Sequence, residues 1–328
     1  MAPRLAKLQN IAETPYLRRP LAIPAPDILF YFLQIFTTAS ALSEALAAAR
    51  RPGTQVGFVP TMGALHRGHA ALVRASRKEC DLTVASIFVN PTQFNDRGDL
   101  EAYPRTPDSD VRLLEELQCD FLYLPEPPDV YPEGEDADSL AQHLDYGTLT
   151  DRLEGAHRPG HFAGVVQVVS RLLDIVNPDR LFLGQKDYQQ VAVIRRMVGL
   201  LQLKVAITVV PTVREQDGLA LSSRNRRLSP DERMAAGKIN HHLAAVAAGL
   251  RSEWPARELE RLALQGLADV AGLDPEYVEV VDGTTLEPYA DGSPVEELVV
   301  LTAVRVGEVR LIDNRIAYRA NPSDERRV

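Results

Sequence analysis

The chain has 328 residues, enough for roughly two domains of about 150 residues each. Hydrophobic residues make up 45% and charged residues 25%, the balance of a soluble globular enzyme. A formal charge of −9 argues against general binding to nucleic acid or an anionic membrane, so any polyanionic ligand must meet cations gathered locally.

Arg4, Lys7, Arg18 and Arg19 precede an apolar run, "ILFYFLQIF" (28–36), followed by "TTASA". That order resembles a signal peptide, but the leading segment is long, Asp27 abuts the core, and the run is too short to span a bilayer. The run is read as a first β-strand, preceded by a disordered or mis-started extension over 1–32. "ALSEALAAAR" (41–50) has apolar residues at helical spacing. "GTQVGFVP" (53–60) reads as a buried strand stopped by Pro60, and "GHAALVRASRKE" as a helix. "LTVASIFVN" (82–90) is a strand stopped by Pro91, "SDVRLLEELQ" (109–118) a helix, and "DFLYLP" (120–125) a strand. Residues 126–140, rich in Pro, Asp and Glu, are expected to form an exposed loop.

Further on, "GVVQVVSRLLDIVN" (164–177) is a helix and "DRLFLG" (179–184) a strand. "YQQVAVIRRMVGLL" (188–201) is a helix and "KVAITVVP" (204–211) a strand. Such alternation predicts an α/β fold, a doubly wound parallel sheet covered on both faces. Ligands in these folds sit at the carboxyl ends of strands. After about Pro211 the composition changes. "LSPDER" (228–233) starts a helix, with Ser229 as N-cap, Pro230 in the first turn and Glu232 three residues on. Helices over 230–251 and 255–271, then "EYVEVVD" and "LVVLTAVRVGEVRLID", predict a smaller C-terminal α+β domain.

The chain has two cysteines, Cys80 and Cys119, with no metal-like spacing, which fits a reducing cytoplasm better than a disulfide scaffold. At one strand end lies "PTMGALHRGHAAL" (60–72). If the helix begins near Leu65, His66 and His69 share a face of its first turn, where backbone N–H groups and the helix dipole attract phosphate. Gly63 and Gly68 would leave room for a ligand, and histidine can donate to phosphate oxygens and carry charge. Taken alone, this stretch fits a structural pair in a tight turn slightly better; a metal site fits less well, for want of a third ligand.

Other strand ends carry polar groups too. "FLGQKDYQQ" (182–190) closes on Gly184, offers Lys186, and places Asp187 to cap the helix holding Gln189 and Gln190. "LALSSRNRRLS" (219–229) gathers Ser222, Ser223, Arg224 and Asn225 into a donor cluster, although such a loop also suits a linker. "RPGHF" (158–162) adds Arg158 and His161, and "FVNPTQF" (88–94) adds Asn90 and Gln93, amides suited to a small hydroxylated acid or to a turn.

Together and in order, "PTMGALHRGH", "FVNPTQF", "EGAHRPGHFAGV", "GQKDYQQ", "GLALSSRN" and "RLIDN" (310–314) resemble the pantothenate synthetase (pantoate–β-alanine ligase) family, from about residue 33 to about residue 319. The HxGH element alone marks a wider nucleotidyltransferase superfamily; the full set is specific. The resemblance implies a Rossmann-like domain over 33–212, a C-terminal lid domain over 213–328, a homodimer and a cytoplasmic enzyme. It also implies the reaction: ATP and pantoate give pantoyl adenylate and pyrophosphate, then β-alanine displaces AMP. On this chain the ATP site would comprise Met62, Gly63, Ala64, Leu65, His66, Arg67, Gly68 and His69, then Gly184, Gln185, Lys186, Asp187, Val213, Leu221, Ser222, Ser223 and Arg224. His69 would be catalytic, assisted by His66, with Lys186 and Arg224 supplying charge. Gln93 and Gln190 would hold pantoate, Gln93 also facing β-alanine, with Asn90 and Arg158 nearby on the substrate side. Mg²⁺ is expected with ATP, and Asp110 is a candidate contact for it.

The family commonly has Glu where this chain has Gln185, removing a negative charge beside Lys186, and often Met at Thr92. Two rivals stay in view: another HxGH nucleotidyltransferase that stops at the nucleotidyl product, and a nucleotide-binding regulatory module that has lost catalysis.

Overall fold

The computed structural model describes residues 33–132 and 140–319. The strand expected over 28–36 is seen as β1 (Gln34–Phe36); the extension before it lies outside the described residues. It is followed by α1 (Ala39–Ala49), β2 (Val56–Thr61), α2 (Arg67–Glu79), β3 (Leu82–Ile87), α3 (Arg97–Ala102), α4 (Pro107–Glu116) and β4 (Phe121–Tyr123). Next come α5 (Pro127–Val130), α6 (Glu154–His157), α7 (His161–Val176), β5 (Arg180–Gly184), α8 (Tyr188–Leu200) and β6 (Ala206–Val210). The C-terminal part holds α9 (Pro230–Ala236), α10 (Lys238–Arg251), α11 (Ala256–Ala268), β7 (Leu273–Asp282), β8 (Glu297–Val306) and β9 (Val309–Arg319).

Six strands form a parallel sheet in the order β1-β4-β3-β2-β5-β6. Side chains alternate between its faces, as a two-residue period requires. Val56 and Phe58 of β2, Leu181 and Leu183 of β5, and Phe121 and Tyr123 of β4 pack with α1, α7 and α8. Val59, Phe182 and Leu122, from the same strands, pack with α2 and α4 on the other side. From β2 the chain winds outward to β3 and β4, then returns to place β5 on the opposite flank of β2. This reversal splays the loops after β2 and β5 apart and opens a crevice at their carboxyl ends.

β7, β8 and β9 form a separate antiparallel sheet backed by α10 and α11, as the alternation after residue 272 predicts. Ser229 and Glu232 make the expected capping box on α9. Tyr277, Val281, Val299, Leu301 and Ala303 of this sheet join the same core as α7 and α8.

Three expectations need correction. Pro60 does not stop β2, which runs on to Thr61, because Pro60 pairs with Ser86 in a parallel register. Residues 126–140 are not simply an exposed loop. Pro127–Val130 turns as α5, Val130 is fully buried, and the Asp129 carboxylate accepts the Ala39 N–H at 2.8 Å and the Tyr123 hydroxyl; residues 133–139 lie outside the described residues. The helix expected over 230–251 breaks at Gly237 into α9 and α10.

Candidate active site

The loop leaving β2 turns on two successive left-handed residues, Gly63 at φ +79° and Ala64 at φ +48°. Gly63 meets this demand without strain; Ala64 needs support. Asp110, buried in the first turn of α4, supplies it. Its carboxylate oxygens accept the Ala64 N–H at 2.8 Å and the Leu65 N–H at 2.7 Å, and Oδ1 also accepts the Thr106 hydroxyl. Held this way, the loop delivers the chain to the N-terminus of α2.

His66 is the N-cap of that helix and not part of its first turn. Its Nδ1 accepts the Gly68 N–H at 3.1 Å, and Nδ1 of His69 accepts the His66 N–H at 3.3 Å, so the two histidines build a capping box that Ser and Glu more often make. The rings lie 4.1 Å apart. A nitrogen that accepts an N–H carries no proton, so each neutral ring has its hydrogen on Nε2. Burial and then the Lys186 ammonium push His66 down to about 4; burial and then its neighbour His66 push His69 down to about 3. At neutral pH the pair therefore offers two N–H donors and no net charge. Gly68 has a different purpose from the one expected: a Cβ there would come within 2.8 Å of the His66 ring, so the space it leaves belongs to that imidazole.

The cationic charge comes from elsewhere. Lys186 sits in a 3-10 turn after β5, its Nζ 3.3 Å from Asp187. Asn314, buried in β9, fixes this turn by donating to the carbonyls of Gln185 and Lys186 at 2.9 and 2.8 Å. Gln185 donates to Asn314 Oδ1 in return, at 3.2 Å. Asp187 makes no side-chain cap on α8, contrary to expectation, since it faces Lys186.

Ser222 caps the 3-10 turn over Ser223–Arg227 by accepting the Arg224 N–H. Ser223 is buried and donates to the Ala64 carbonyl at 3.1 Å, tying this turn to the histidine loop. Arg224 grips Asp99 through Nη2 at 2.7 Å and Nε at 3.2 Å, with its guanidinium carbon 5.4 Å from the centre of the Tyr103 ring; Arg227 also pairs with Asp99. Val213 and Leu221 are joined by a backbone bond of 3.0 Å. Opposite, Gln93 donates to the Met62 sulfur at 3.2 Å and accepts from Asn90 at 3.3 Å.

These groups surround one cleft of about 620 Å³. Of the residues expected from the sequence, Met62, His66, Gly68, His69, Gly184, Lys186, Asp187, Val213 and Leu221 line it. Ser222, Ser223, Arg224, Gln93, Gln190 and Arg158 line it as well. Gly63, Ala64 and Leu65 shape the loop from behind. Arg67 is exposed and pairs with Glu215, and Gln185 serves as a docking amide. Asn90 is buried behind Gln93, donating to it and to the Gly164 carbonyl and accepting from Tyr131.

Both oxygens of Asp110, the candidate magnesium contact, already accept backbone N–H bonds of the histidine loop. Among the described residues no group of three His, Cys, Asp or Glu could hold a metal ion. Sequence reasoning also missed Asp99, Tyr103 and Glu154, which line the cleft. Asp99 lies in the short α3, Tyr103 follows its last turn and Glu154 opens the one-turn α6, elements too short for periodicity to mark a site residue.

The chain matches the family model described as pantoate-beta-alanine ligase over residues 34–316. It is 46% identical to the pantothenate synthetase of Porphyromonas gingivalis over 282 residues, covering 86% of this chain and 98% of that protein. The crystal structure of pantothenate synthetase from Thermus thermophilus superposes with a TM-score of 0.80 at 42% identity, covering 87% of this chain and all of the other. A Francisella tularensis pantoate-beta-alanine ligase, solved in complex with "Beta-gamma ATP and Beta-alanine", gives 0.73 at 32% identity, covering 87% and 98% of the two chains.

Proposed function

The chain belongs to the pantoate–beta-alanine ligase family, and we propose how its cleft joins pantoate to β-alanine at the expense of ATP. In the first step a carboxylate oxygen of pantoate attacks the α-phosphorus and pyrophosphate leaves. In the second the amine of β-alanine attacks the acyl carbon, AMP leaves with the electrons of the broken C–O bond, and the nitrogen gives up a proton. Two anions must meet in the first step while charge builds on phosphate oxygens, so the need is for positioning and preorganised donors, not for a protein nucleophile.

The observation that carries this reading is the pair of tautomer-fixed histidines at the N-terminus of α2, sharing a cleft with Lys186. Donors held in place before charge develops cost no reorganisation when it does. In this reading Nε2–H of His69 and of His66 donate to phosphate oxygens, and Lys186 supplies the fixed charge. Arg224 joins them after leaving Asp99, with Ser222 and Ser223 placing its turn. Gly184, Asp187, Val213 and Leu221 wall the nucleotide, with Gln185 and Arg67 outside the wall. Gln93 and Gln190 hold pantoate, Asn90 supports Gln93, and Arg158 meets a carboxylate. Mg²⁺ enters as part of the nucleotide substrate, held by its phosphates.

The division at 212/213 and closure of the C-terminal part over an unstable acyl adenylate belong to the same reading, since closure excludes water. So do a homodimer, checked by light scattering against a chain mass of 36.2 kDa, and a cytoplasmic setting. No helix among the described residues is long and apolar enough to cross a membrane.

Pantoate-dependent exchange of labelled pyrophosphate into ATP, followed by addition of β-alanine, tests the function. Exchange and then release of AMP with amide are expected. Absence of exchange would remove the ligase reading; exchange that stalls on adding β-alanine favours a nucleotidyltransferase.

A further inference from the structure

His161 opens α7 and is 6% exposed, yet it lines the same cleft on the side away from the nucleotide turn. Both of its ring nitrogens are engaged. Nδ1 lies 2.8 Å from the backbone carbonyl of Gln93, and Nε2 lies 3.2 Å from Nη1 of Arg158. A guanidinium only donates, so Nε2 must be the acceptor, and a carbonyl only accepts, so Nδ1 must carry the hydrogen. These two neighbours therefore fix one neutral tautomer, the reverse of that at His66 and His69. The other tautomer would set N–H against N–H and lone pair against lone pair, and a protonated ring would aim a donor at a cation.

The surroundings explain what is being held. Arg158 also donates through Nε to Asn95 at 3.3 Å and, at 3.5 Å, through Nη2 to the same Gln93 carbonyl, and Glu154 lies 4.0 Å from Nη1. Gln93 and Asn95 belong to the loop after β3, Arg158 to the turn between α6 and α7, and the His161 ring stands between them. Arg158 keeps N–H bonds to spare, in the planar fork that suits a carboxylate. Both pantoate and β-alanine carry one.

We propose that His161 is a positioning residue, a neutral clamp that sets the plane of the Arg158 guanidinium against the Gln93 backbone so that the cleft can grip a substrate carboxylate. The proposal rests on the ligase reading given above for its substrates, but not for its geometry.

The test compares three variants. In His161→Gln an amide oxygen can still accept from Arg158; in His161→Asn an amide N–H can still donate to the Gln93 carbonyl without reaching Arg158; His161→Ala keeps neither. We expect His161→Ala to raise KM for one carboxylate substrate about tenfold or more while KM for ATP stays within about twofold. His161→Gln should restore most of that loss and His161→Asn should not. In an Arg158→Ala background, His161→Ala should add no more than about twofold. Equal effects on ATP and carboxylate KM, or an undiminished effect without Arg158, would overturn the proposal. If the alanine variant fails to fold, the Gln and Asn pair carries the same comparison. One readout needs no activity: long-range ¹H–¹⁵N correlation spectra of the wild-type protein should show His161 as the Nδ1–H tautomer. An Nε2–H ring at that position sinks the clamp, whereas a wild-type protein without exchange activity sinks the ligase reading and leaves the spectrum to judge the clamp.

Discussion

Nδ1 of His69 accepts the backbone N–H of His66 at 3.3 Å, which leaves the hydrogen of the neutral His69 ring on Nε2. With pKa values of about 4 and about 3, both rings stay neutral well below neutrality. The exchange rate is therefore expected to show no inflection near 6.5 that depends on either histidine. The sign for stability follows from the same shifts. The unfolded rings take up protons near 6.5 while the folded rings do not until about 4 and about 3, so their contribution is complete above 6.5 and is lost as pH falls through that interval. Urea titrations at pH 7 and pH 5 should show this loss in wild type and a smaller one in His66→Asn.

Asn at position 69 can keep the cap, because its side-chain oxygen can accept the His66 N–H, but it lacks a donor where Nε2 stood. His69→Asn should thus fold normally and lower pyrophosphate exchange by roughly 10²–10³. Near-normal exchange in this variant would take His69 out of the mechanism.

Asp99 holds Arg224 in a two-point grip inside the cleft, and a nucleotide phosphate must compete for the same guanidinium. Asp99→Asn is expected to lower KM for ATP roughly three- to tenfold, since the pair is only partly exposed and its loss leaves Arg224 available. A weaker affinity for ATP would show instead that Asp99 aims Arg224 at the nucleotide.

Replacing Asp110 separates a loop anchor from a metal ligand. Asp110→Asn turns one acceptor into a donor facing a backbone N–H, a mismatch costing roughly 2–3 kcal/mol. The melting temperature and the exchange rate should fall together, and excess Mg²⁺ should restore neither. Recovery at high Mg²⁺ would reinstate Asp110 as a metal contact.

Gln185 stands where the family commonly has Glu, and its side chain docks on Asn314. Gln185→Glu is accordingly expected to change kcat/KM by no more than about twofold. A larger gain in activity would mean that the missing charge matters to Lys186, and would revive the idea of a site drifting out of use.

Much of the fold is legible in the sequence. The short apolar runs in "VGFVP" and "RLFLG", buried on both faces of the sheet, and the helical spacing of α2, α7 and α8 are local signals, because each face must find apolar cover. The "LSPDER" capping box is likewise a contact between near neighbours in the chain. What spacing could not supply was the partner of each polar group. The sequence placed His66 and His69 beside each other, but their tautomers depend on where the helix starts, a matter of one or two residues that no periodicity resolves. Asp110 grips a loop 46 residues before it, Asp99 engages an arginine 125 residues on, and Asn314 docks the Lys186 turn from 128 residues away. By itself the sequence determined the strands, the helices and the chemical kinds of side chain at the strand ends. The tertiary structure decided which of those side chains face the cleft and which are spent holding others there, because a buried polar group takes whatever partner the fold brings within hydrogen-bond reach.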